Sequence, residues 1–328
     1  MHDFKGKNSN FVAMNLSFYR VFFPLFILLF NLLIPINAEE QQMMPLPTVA
    51  YGKIVRFTDF PSVFVRSRTI DVLLPSDYSP KKSYPVLYMH DGQMLFDATN
   101  TWNHQEWGLD EALLDYADSL QPCIIVGIWN ADTLRRAEYF PEKALKFIPE
   151  TIRREFIDTE LYGKALGDEY LSFLTQELKP FIEKMFSAFS SPEHNFLMGS
   201  SMGGLISLYA LCEYPDQFGG IAGLSTHWPG SLLIKDSSIP NGILEYLSME
   251  LPIFMGRKKI YLDHGTLGLD SLYMPYQERM NALCKSAGYD ASQYQFHFDE
   301  DADHNEEAWR NRLHIPLQFL MKKTQSAD

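Results

Sequence analysis

Cysteine is scarce in this chain of 328 residues. The three cysteines, Cys123, Cys212 and Cys284, lie in apolar or helical contexts, which favours free thiols over a disulfide framework. No spacing of cysteine and histidine is typical of a zinc site, so we expect no metal.

Basic residues are also few, with 28 Lys and Arg against 41 Asp and Glu and a formal net charge of −13. A negative field repels phosphate groups, so we expect neither nucleic acid nor an anionic membrane surface as a partner. The sequence does not indicate whether the protein is a monomer or an oligomer.

A long apolar run occurs near the N-terminus, where Lys5, Lys7 and Arg20 precede residues 21–30 and Ala38 ends a segment typical of a cleavage site. The pattern predicts a signal peptide over residues 1–38 and export to a periplasm or the cell exterior. The alternative is an uncleaved membrane anchor, although prolines and an asparagine make the run marginal for spanning a bilayer. After cleavage we expect no stable membrane insertion.

Residues 39–328 have the composition of one large globular domain, since the chain is 46% hydrophobic and 14% aromatic. Near-alternating apolar residues at 54–60 and 62–74 predict antiparallel strands at a sheet edge. Continuous apolar runs then alternate with helical patterns, which predicts an α/β fold with a mostly parallel central sheet and helices on both faces. The predicted parallel strands are 85–89, 123–128, 218–224, 259–263 and 294–298, and the predicted helices are 106–120, 168–186, 273–286 and 305–321.

Residues 130–167 show no clear periodicity and are punctuated by proline. Connections of this length usually carry function, so this segment is predicted to form a pocket wall or a lid, with a solvated surface excursion as the alternative.

The sequence Gly199-Ser-Ser201-Met-Gly203 follows an apolar strand pattern and precedes a helical one. This Gly-x-Ser-x-Gly context predicts a sharp turn that exposes the Ser201 hydroxyl as a nucleophile, with glycines where side chains would clash. Ser200 lies one position off this register and is interpreted as a strand-end hydroxyl.

A serine nucleophile needs a general base and a group that orients that base. His304 follows the last predicted strand and precedes the last predicted helix, which is where a base is expected. His264, His297 and His314 are interpreted as structural or exposed.

Two carboxylates compete for the role of triad acid. Asp270 lies in the loop beyond the strand at 259–263 and can reach across to His304, so we favour it over Asp263. Asp263 ends that strand and is expected instead to brace the loop by accepting backbone N–H bonds.

The oxyanion that forms during acyl transfer needs two N–H donors. The residue after the nucleophile, Met202, is the first predicted donor. Gly92, in the turn after the strand at 85–89, is the second, and Gln93 is equally near in sequence.

Several segments together resemble the putative-esterase family of α/β-hydrolases, which includes esterase D, feruloyl and acetyl-xylan esterases and enterochelin esterases. The resemblance covers about residues 50–322 and implies an α/β-hydrolase fold, a Ser-His-Asp acyl-enzyme mechanism and no cofactor. The segments that carry it are 88–96, 127–130, 136–139, 199–204, 264–266 with Asp270, and 303–305.

The leading functional hypothesis is an exported serine carboxylesterase that removes feruloyl or acetyl groups from carbohydrate. Four aromatic side chains follow strand ends and are candidates to stack on a sugar or phenolic ring, with core packing as the alternative. They are Trp129, Tyr139, His227 and Trp228.

Two other hypotheses stay open. An anionic siderophore trilactone would favour a basic pocket, for which Arg136 and its neighbour Arg135 are the candidates. A catalytically inactive binding protein is the non-enzyme alternative.

Overall fold

An eight-stranded mixed sheet forms the centre of the computed structural model, which describes residues 44–233, 237–251 and 258–323. The predicted signal peptide, residues 1–38, lies outside the described residues. The strands are β1 (Lys53–Phe60), β2 (Arg68–Leu74), β3 (Val86–His90), β4 (Ile124–Ile128), β5 (Asn195–Ser200), β6 (Gly220–Leu224), β7 (Lys259–His264) and β8 (Tyr294–Phe298).

The strand order is β1-β2-β4-β3-β5-β6-β7-β8. The pairs β1/β2 and β2/β4 are antiparallel, whereas β4, β3, β5, β6, β7 and β8 run parallel to one another. This confirms the predicted parallel sheet with antiparallel N-terminal strands.

The inner parallel strands are buried because helices cover both sides of the sheet, whereas the edge strand β8 is only partly buried and carries the polar residues Gln295 and His297. In β3, Val86 and Tyr88 face one hydrophobic core, and Leu87 and Met89 face the other.

The α-helices are α1 (Leu109–Asp115), α2 (Arg135–Tyr139), α3 (Glu150–Glu160), α4 (Gly167–Ser172), α5 (Lys179–Met185), α6 (Met202–Glu213), α7 (Ser238–Glu250), α8 (Met274–Ser286), α9 (Glu306–Arg312) and α10 (His314–Met321). They are distributed unequally between the two faces of the sheet. Apolar residues of α1, α9 and α10 belong to one core cluster, and those of α2 to α8 belong to the other. None of the described helices has the length and apolar character needed to cross a membrane.

Two helices predicted as single segments are subdivided in the structure. The segment 168–186 contains a π-helical turn at Phe173–Leu178 between α4 and α5, and 305–321 divides at Leu313 into α9 and α10.

The segment 130–167 is more ordered than its sequence pattern indicates. It contains α2 and α3, and Phe140, Ala144 and Phe156 are buried in the core. A solvated surface excursion is therefore wrong for this segment. Its elements are short and irregularly spaced, so the burial of its aromatic residues produces no helical period in the sequence.

Candidate active site

Ser201 lies on the turn between β5 and α6 with φ 55° and ψ −120°. A positive φ is unusual for a residue with a side chain, and it turns Ser201 out of the strand before the helix begins. The Ser201 N–H donates to the Leu224 carbonyl at 2.9 Å, and the Ser201 carbonyl accepts from the His227 N–H at 3.1 Å. The turn is therefore tied to the chain that follows β6.

One of the two predicted glycine positions is required by a close backbone contact. A Cβ added to Gly199 would lie 2.8 Å from the backbone carbon of Gly203, so a side chain there would push the strand and the helix apart. At Gly203 an added Cβ would lie 3.4 Å from the His90 Cβ, which is an ordinary van der Waals distance.

His304 and Asp270 are in direct contact, with Nδ1 of the imidazole 2.6 Å from Oδ1 of the carboxylate. The Asp270 side chain is completely buried, while 14% of the His304 side chain is exposed. The structure thus brings together the predicted base and the preferred acid.

Asp270 is surrounded by donors. Its Oδ2 accepts the Gly265 N–H at 2.7 Å and the Ser225 hydroxyl at 2.5 Å. Burial favours the neutral acid, but the hydrogen bond and charge of His304, followed by the bonds from Ser225 and Gly265, outweigh burial and hold the pKa of Asp270 below its usual value. Because an ionised carboxylate only accepts, Nδ1 of His304 carries the proton and Nε2 is left as the basic nitrogen.

Asp263 does not contact His304 in the described hydrogen bonds. Its Oδ1 accepts the Ser225 N–H at 2.9 Å and Arg312 Nη2 at 3.0 Å, and its Oδ2 accepts the Tyr261 hydroxyl at 3.0 Å. In the described hydrogen bonds Asp263 therefore accepts one backbone N–H, which belongs to Ser225 after β6 and not to the loop that carries Asp270.

Ser201 and His304 line the same cavity, which has a volume of about 610 Å³. The described side-chain hydrogen bonds include none between them, and such bonds are often longer in a free enzyme than in its substrate complex. The remaining lining residues are Asp91, Gln93, Met94, Trp102, Asn103, Gln105, Trp107, Asn130, Arg135, Ser200, Asn305, Glu306 and Trp309.

The turn after β3 forms one side of this cavity. An added Cβ at Gly92 would lie 2.4 Å from the backbone carbon of Gly127, so glycine allows the turn to pack directly on β4. Gln93 lines the cavity, whereas Gly92 is buried and does not. The other predicted donor, Met202, is the first residue of α6.

A partly buried ion pair holds this turn in place. Arg135 donates to both carboxylate oxygens of Asp91, at 2.6 and 2.7 Å, and the Asn130 side-chain amide donates to Asp91 at 2.7 Å. Burial alone would raise the pKa of Asp91, but Arg135 and Asn130 hold it below its usual value.

None of the five predicted substrate-binding side chains lines the cavity. Tyr139, at the end of α2, and His227 and Trp228, shortly after β6, are buried in the protein interior. Trp129 donates to Asp71, and Arg136 pairs with Glu160. These contacts correspond to the core-packing alternative for the aromatic residues.

The cavity wall contains residues that sequence reasoning missed, among them Trp102, Trp107, Trp309 and Glu306. Trp102 is the most informative because 82% of it is exposed, which is unusual for tryptophan. The sequence signal was the cluster of tryptophan and amide residues at 102–107.

All three cysteines are free thiols in the structure, as predicted. Across the described ranges, no cluster of three or more histidine, cysteine or acidic side chains could hold a metal ion.

Comparison with known proteins identifies the family of this chain. A sequence model of the protein family described as "Putative esterase" matches residues 62–320. The chain belongs to this esterase family. The family predicted from the sequence is therefore confirmed.

Two relatives from Bacillus subtilis (strain 168) illustrate the range of this family. The uncharacterized protein YbbA is 25% identical over 264 residues, which cover 79% of this chain and 95% of YbbA. The ferri-bacillibactin esterase BesA is 27% identical over 177 residues, which cover 52% of this chain and 57% of BesA.

Solved structures of esterases share the fold at low sequence identity. A ferulic acid esterase superposes with a TM-score of 0.59 at 20% identity, covering 83% of this chain and 98% of that one. The enterobactin esterase FES from Shigella flexneri gives a TM-score of 0.60 at 18% identity, covering 84% of this chain and 60% of FES. The predicted α/β-hydrolase fold is confirmed.

Proposed function

We propose that this esterase is a serine carboxylesterase in which Ser201 is the nucleophile, His304 the general base and Asp270 the acid that orients His304. The observation that carries the proposal is the position of a serine with positive φ in the same cavity as an imidazole whose Nδ1 proton is held by a buried carboxylate. This arrangement leaves Nε2 of His304 available to accept the serine proton.

In the proposed reaction, Ser201 Oγ attacks the ester carbonyl while His304 Nε2 takes its proton. In this proposal the N–H groups of Met202 and of Gly92 or Gln93 stabilise the oxyanion, and His304 returns the proton to the departing alcohol. Water then attacks the acyl-enzyme with the same base, which releases the acid and restores Ser201.

We propose an ester of carbohydrate with an acyl group of the feruloyl or acetyl type as the substrate. The cavity wall has three tryptophans, of which Trp102 is largely exposed and offers a flat apolar face to a phenolic or sugar ring, whereas Trp107 and Trp309 are almost fully buried behind the wall. Arg135 is neutralised by Asp91, and Glu306 adds a negative charge to the wall. This charge balance supports a neutral ligand over an anionic one.

A siderophore trilactone is the second candidate substrate. The observation that favours it is the similarity to BesA, which is named for ferri-bacillibactin hydrolysis. A hydrolysis panel of methyl ferulate, acetylated xylan, p-nitrophenyl acyl esters and a catecholate trilactone separates the two candidates. Preferential cleavage of the trilactone would contradict the carbohydrate assignment.

The catalytic assignment is tested by labelling with a fluorophosphonate probe. We expect the wild type to be labelled at Ser201, and Ser201→Ala to lose both labelling and ester hydrolysis while keeping its thermal midpoint. Ser207→Ala is the matched control, because its buried hydroxyl donates to the Gly203 carbonyl inside α6 and does not line the cavity.

Labelling at Ser200, or equal labelling of Ser201→Ala, would contradict the assignment. A wild type that binds esters but neither reacts with the probe nor hydrolyses any ester of the panel would support the inactive binding protein instead.

We also propose that the enzyme is exported and that residues 1–38 are removed. The support is the basic start, the apolar run and the cleavage-site pattern at Ala38. Intact-mass measurement of secreted protein tests this proposal, and retention of residues 1–38 would favour the membrane-anchor alternative.

A further inference from the structure

Ser225 is buried and follows β6 directly. Its hydroxyl oxygen forms hydrogen bonds with three side chains. Its Oγ lies 2.5 Å from Asp270 Oδ2, 3.0 Å from Trp309 Nε1 and 2.9 Å from Arg312 Nη2. Its backbone has φ 45°, a conformation that residues with side chains seldom adopt. A strained backbone that presents one polar atom to three partners indicates a functional constraint.

The hydrogen-bond valence of these groups sets the direction of each bond. A serine hydroxyl has one proton to donate and two lone pairs to accept with. Indole and guanidinium nitrogens only donate, so Trp309 and Arg312 take both lone pairs of Ser225. The single hydroxyl proton must therefore point to Asp270.

We propose that Ser225 is the positioning residue of the triad acid: its hydroxyl fixes Oδ2 of Asp270, so that Oδ1 faces Nδ1 of His304. The proposal rests on the function proposed above, since it assigns Ser225 a role through Asp270 and His304. Ser225 does not line the cavity, so it acts without touching the substrate.

The charged groups around Ser225 support this assignment. Arg312 is buried and pairs with Asp263 at 3.0 Å and with Asp299 at 3.4 Å. Arg312 thus holds Ser225 in place while Asp263 and Asp299 compensate its charge. Asp270 lies on the other side of the hydroxyl with His304 beyond it, so Ser225 connects the buried ion pair to the triad.

Loss of the hydroxyl removes a charge-assisted hydrogen bond from Asp270 and leaves Oδ2 held by the Gly265 N–H alone, so the carboxylate is less firmly oriented toward His304. We expect Ser225→Ala to lower kcat by about 10- to 100-fold with KM unchanged. Without the Ser225 donor, the negative charge of Asp270 is less well stabilised and attracts a proton on the neighbouring imidazole more strongly. The Asp270–His304 pair therefore holds its proton up to a higher pH. The acid limb of the kcat/KM profile should move to higher pH.

Two further variants separate positioning from folding. Ser225→Gly removes the hydroxyl but relieves the positive φ, so it should fold at least as well as Ser225→Ala and lose the same activity. Ser231→Ala is the matched control: its buried hydroxyl donates to the carboxylate of Glu160 away from the triad. It should keep the wild-type kcat and pH profile.

Wild-type kcat and an unmoved acid limb in Ser225→Gly would overturn the proposal. A loss of kcat in Ser231→Ala as large as that in Ser225→Gly would also overturn the proposal. Either result would mean that Ser225 contributes only to packing.

A measurement without substrate distinguishes this proposal from the proposed function. The Nδ1 proton of His304 should give a low-field NMR signal that is absent in His304→Ala. We expect Ser225→Gly to shift this signal and Ser231→Ala to leave it in place, whether or not the wild type hydrolyses any ester. An unshifted signal in Ser225→Gly would contradict the proposal, whereas a shifted signal with an inactive wild type would refute only the esterase assignment.

Discussion

At the residue scale, Ser201 has a backbone conformation that residues with side chains seldom adopt. A non-glycine residue with positive φ costs about 1–3 kcal/mol and persists only where neighbouring contacts impose it. Here the contacts with the Leu224 carbonyl and the His227 N–H hold the turn on both sides. We infer that these contacts maintain the strained conformation of Ser201 and thereby keep its hydroxyl turned out of the strand.

The two competing carboxylates lead to the first prediction at this scale. Asp270→Asn should lower kcat by up to about 10⁴-fold while the protein stays folded, because an amide cannot hold the required tautomer of His304 or stabilise its charged form. The checks are kcat with a p-nitrophenyl ester and the thermal midpoint. A folded Asp263→Asn that is equally inactive would transfer the role of acid to Asp263.

Asp263→Asn should act mainly on stability. The substitution removes the nearer of the two carboxylates that compensate the buried guanidinium of Arg312, and breaking a buried ion pair typically costs about 3–5 kcal/mol. The thermal midpoint should fall by more than about 5 °C, and kcat should change much less than in Asp270→Asn. An unchanged midpoint would contradict the bracing role.

At the scale of elements, the site is formed by four chain segments at the carboxyl ends of parallel strands. The turn after β3 carries Gly92 and the turn after β5 carries Ser201. The loop after β7 carries Asp270, and the loop after β8 carries His304. Parallel neighbours end at the same edge of a sheet, which is why residues distant in sequence share one cavity.

The turn after β3 gives a prediction at this scale. Gly92→Ala places a Cβ 2.4 Å from the backbone carbon of Gly127, so the turn must move away from β4 and carry its N–H groups with it. We expect kcat to fall by about 10²-fold with little change in KM, measured by steady-state kinetics.

Gly163→Ala is the control for that prediction. Its added Cβ would have no neighbour within 4 Å, but φ is +89°. It should lower stability and leave kcat unchanged. A Gly92→Ala variant with normal kcat would show that this turn does not supply an oxyanion donor.

At the scale of the whole molecule, two buried histidines make stability depend on pH. Burial, followed by nearby positive charge, lowers the pKa of His227 from 6.5 to about 3. Burial also lowers the pKa of His90 from 6.5 to about 4, although Asp91 opposes the change. Both stay neutral in the folded protein while the unfolded chain takes up protons below pH 6.5, so stability falls as the pH falls from 6.5 toward these values.

His227→Gln should reduce this pH dependence. Between pH 6.5 and 4.5, each histidine accounts for about 2–3 kcal/mol of lost unfolding free energy. Urea denaturation at the two pH values should therefore show a smaller loss for His227→Gln than for the wild type. His104→Asn is the control, because His104 is exposed and asparagine tolerates its positive φ. The same change of unfolding free energy between the two pH values in His227→Gln and in the wild type would contradict the prediction.

The local features of this protein can be predicted from its amino-acid sequence alone. The parallel strands, the glycine-flanked turn at Ser201 and the loop position of His304 follow from apolar runs, backbone sterics and chain order. These signals are local, since each depends on residues within a few positions of one another. They were sufficient to indicate the family and the candidate nucleophile and base.

Only the tertiary structure decided which side chains share the cavity. It placed Asp270 against His304, directed Tyr139, His227 and Trp228 into the core, and brought Trp102 to the cavity wall. The physical reason is that the strand order β4-β3-β5-β6-β7-β8 joins segments separated by up to about two hundred residues. A sequence pattern shows that a residue follows a strand, but the packing of helices against the sheet determines whether its side chain faces the core or the cavity.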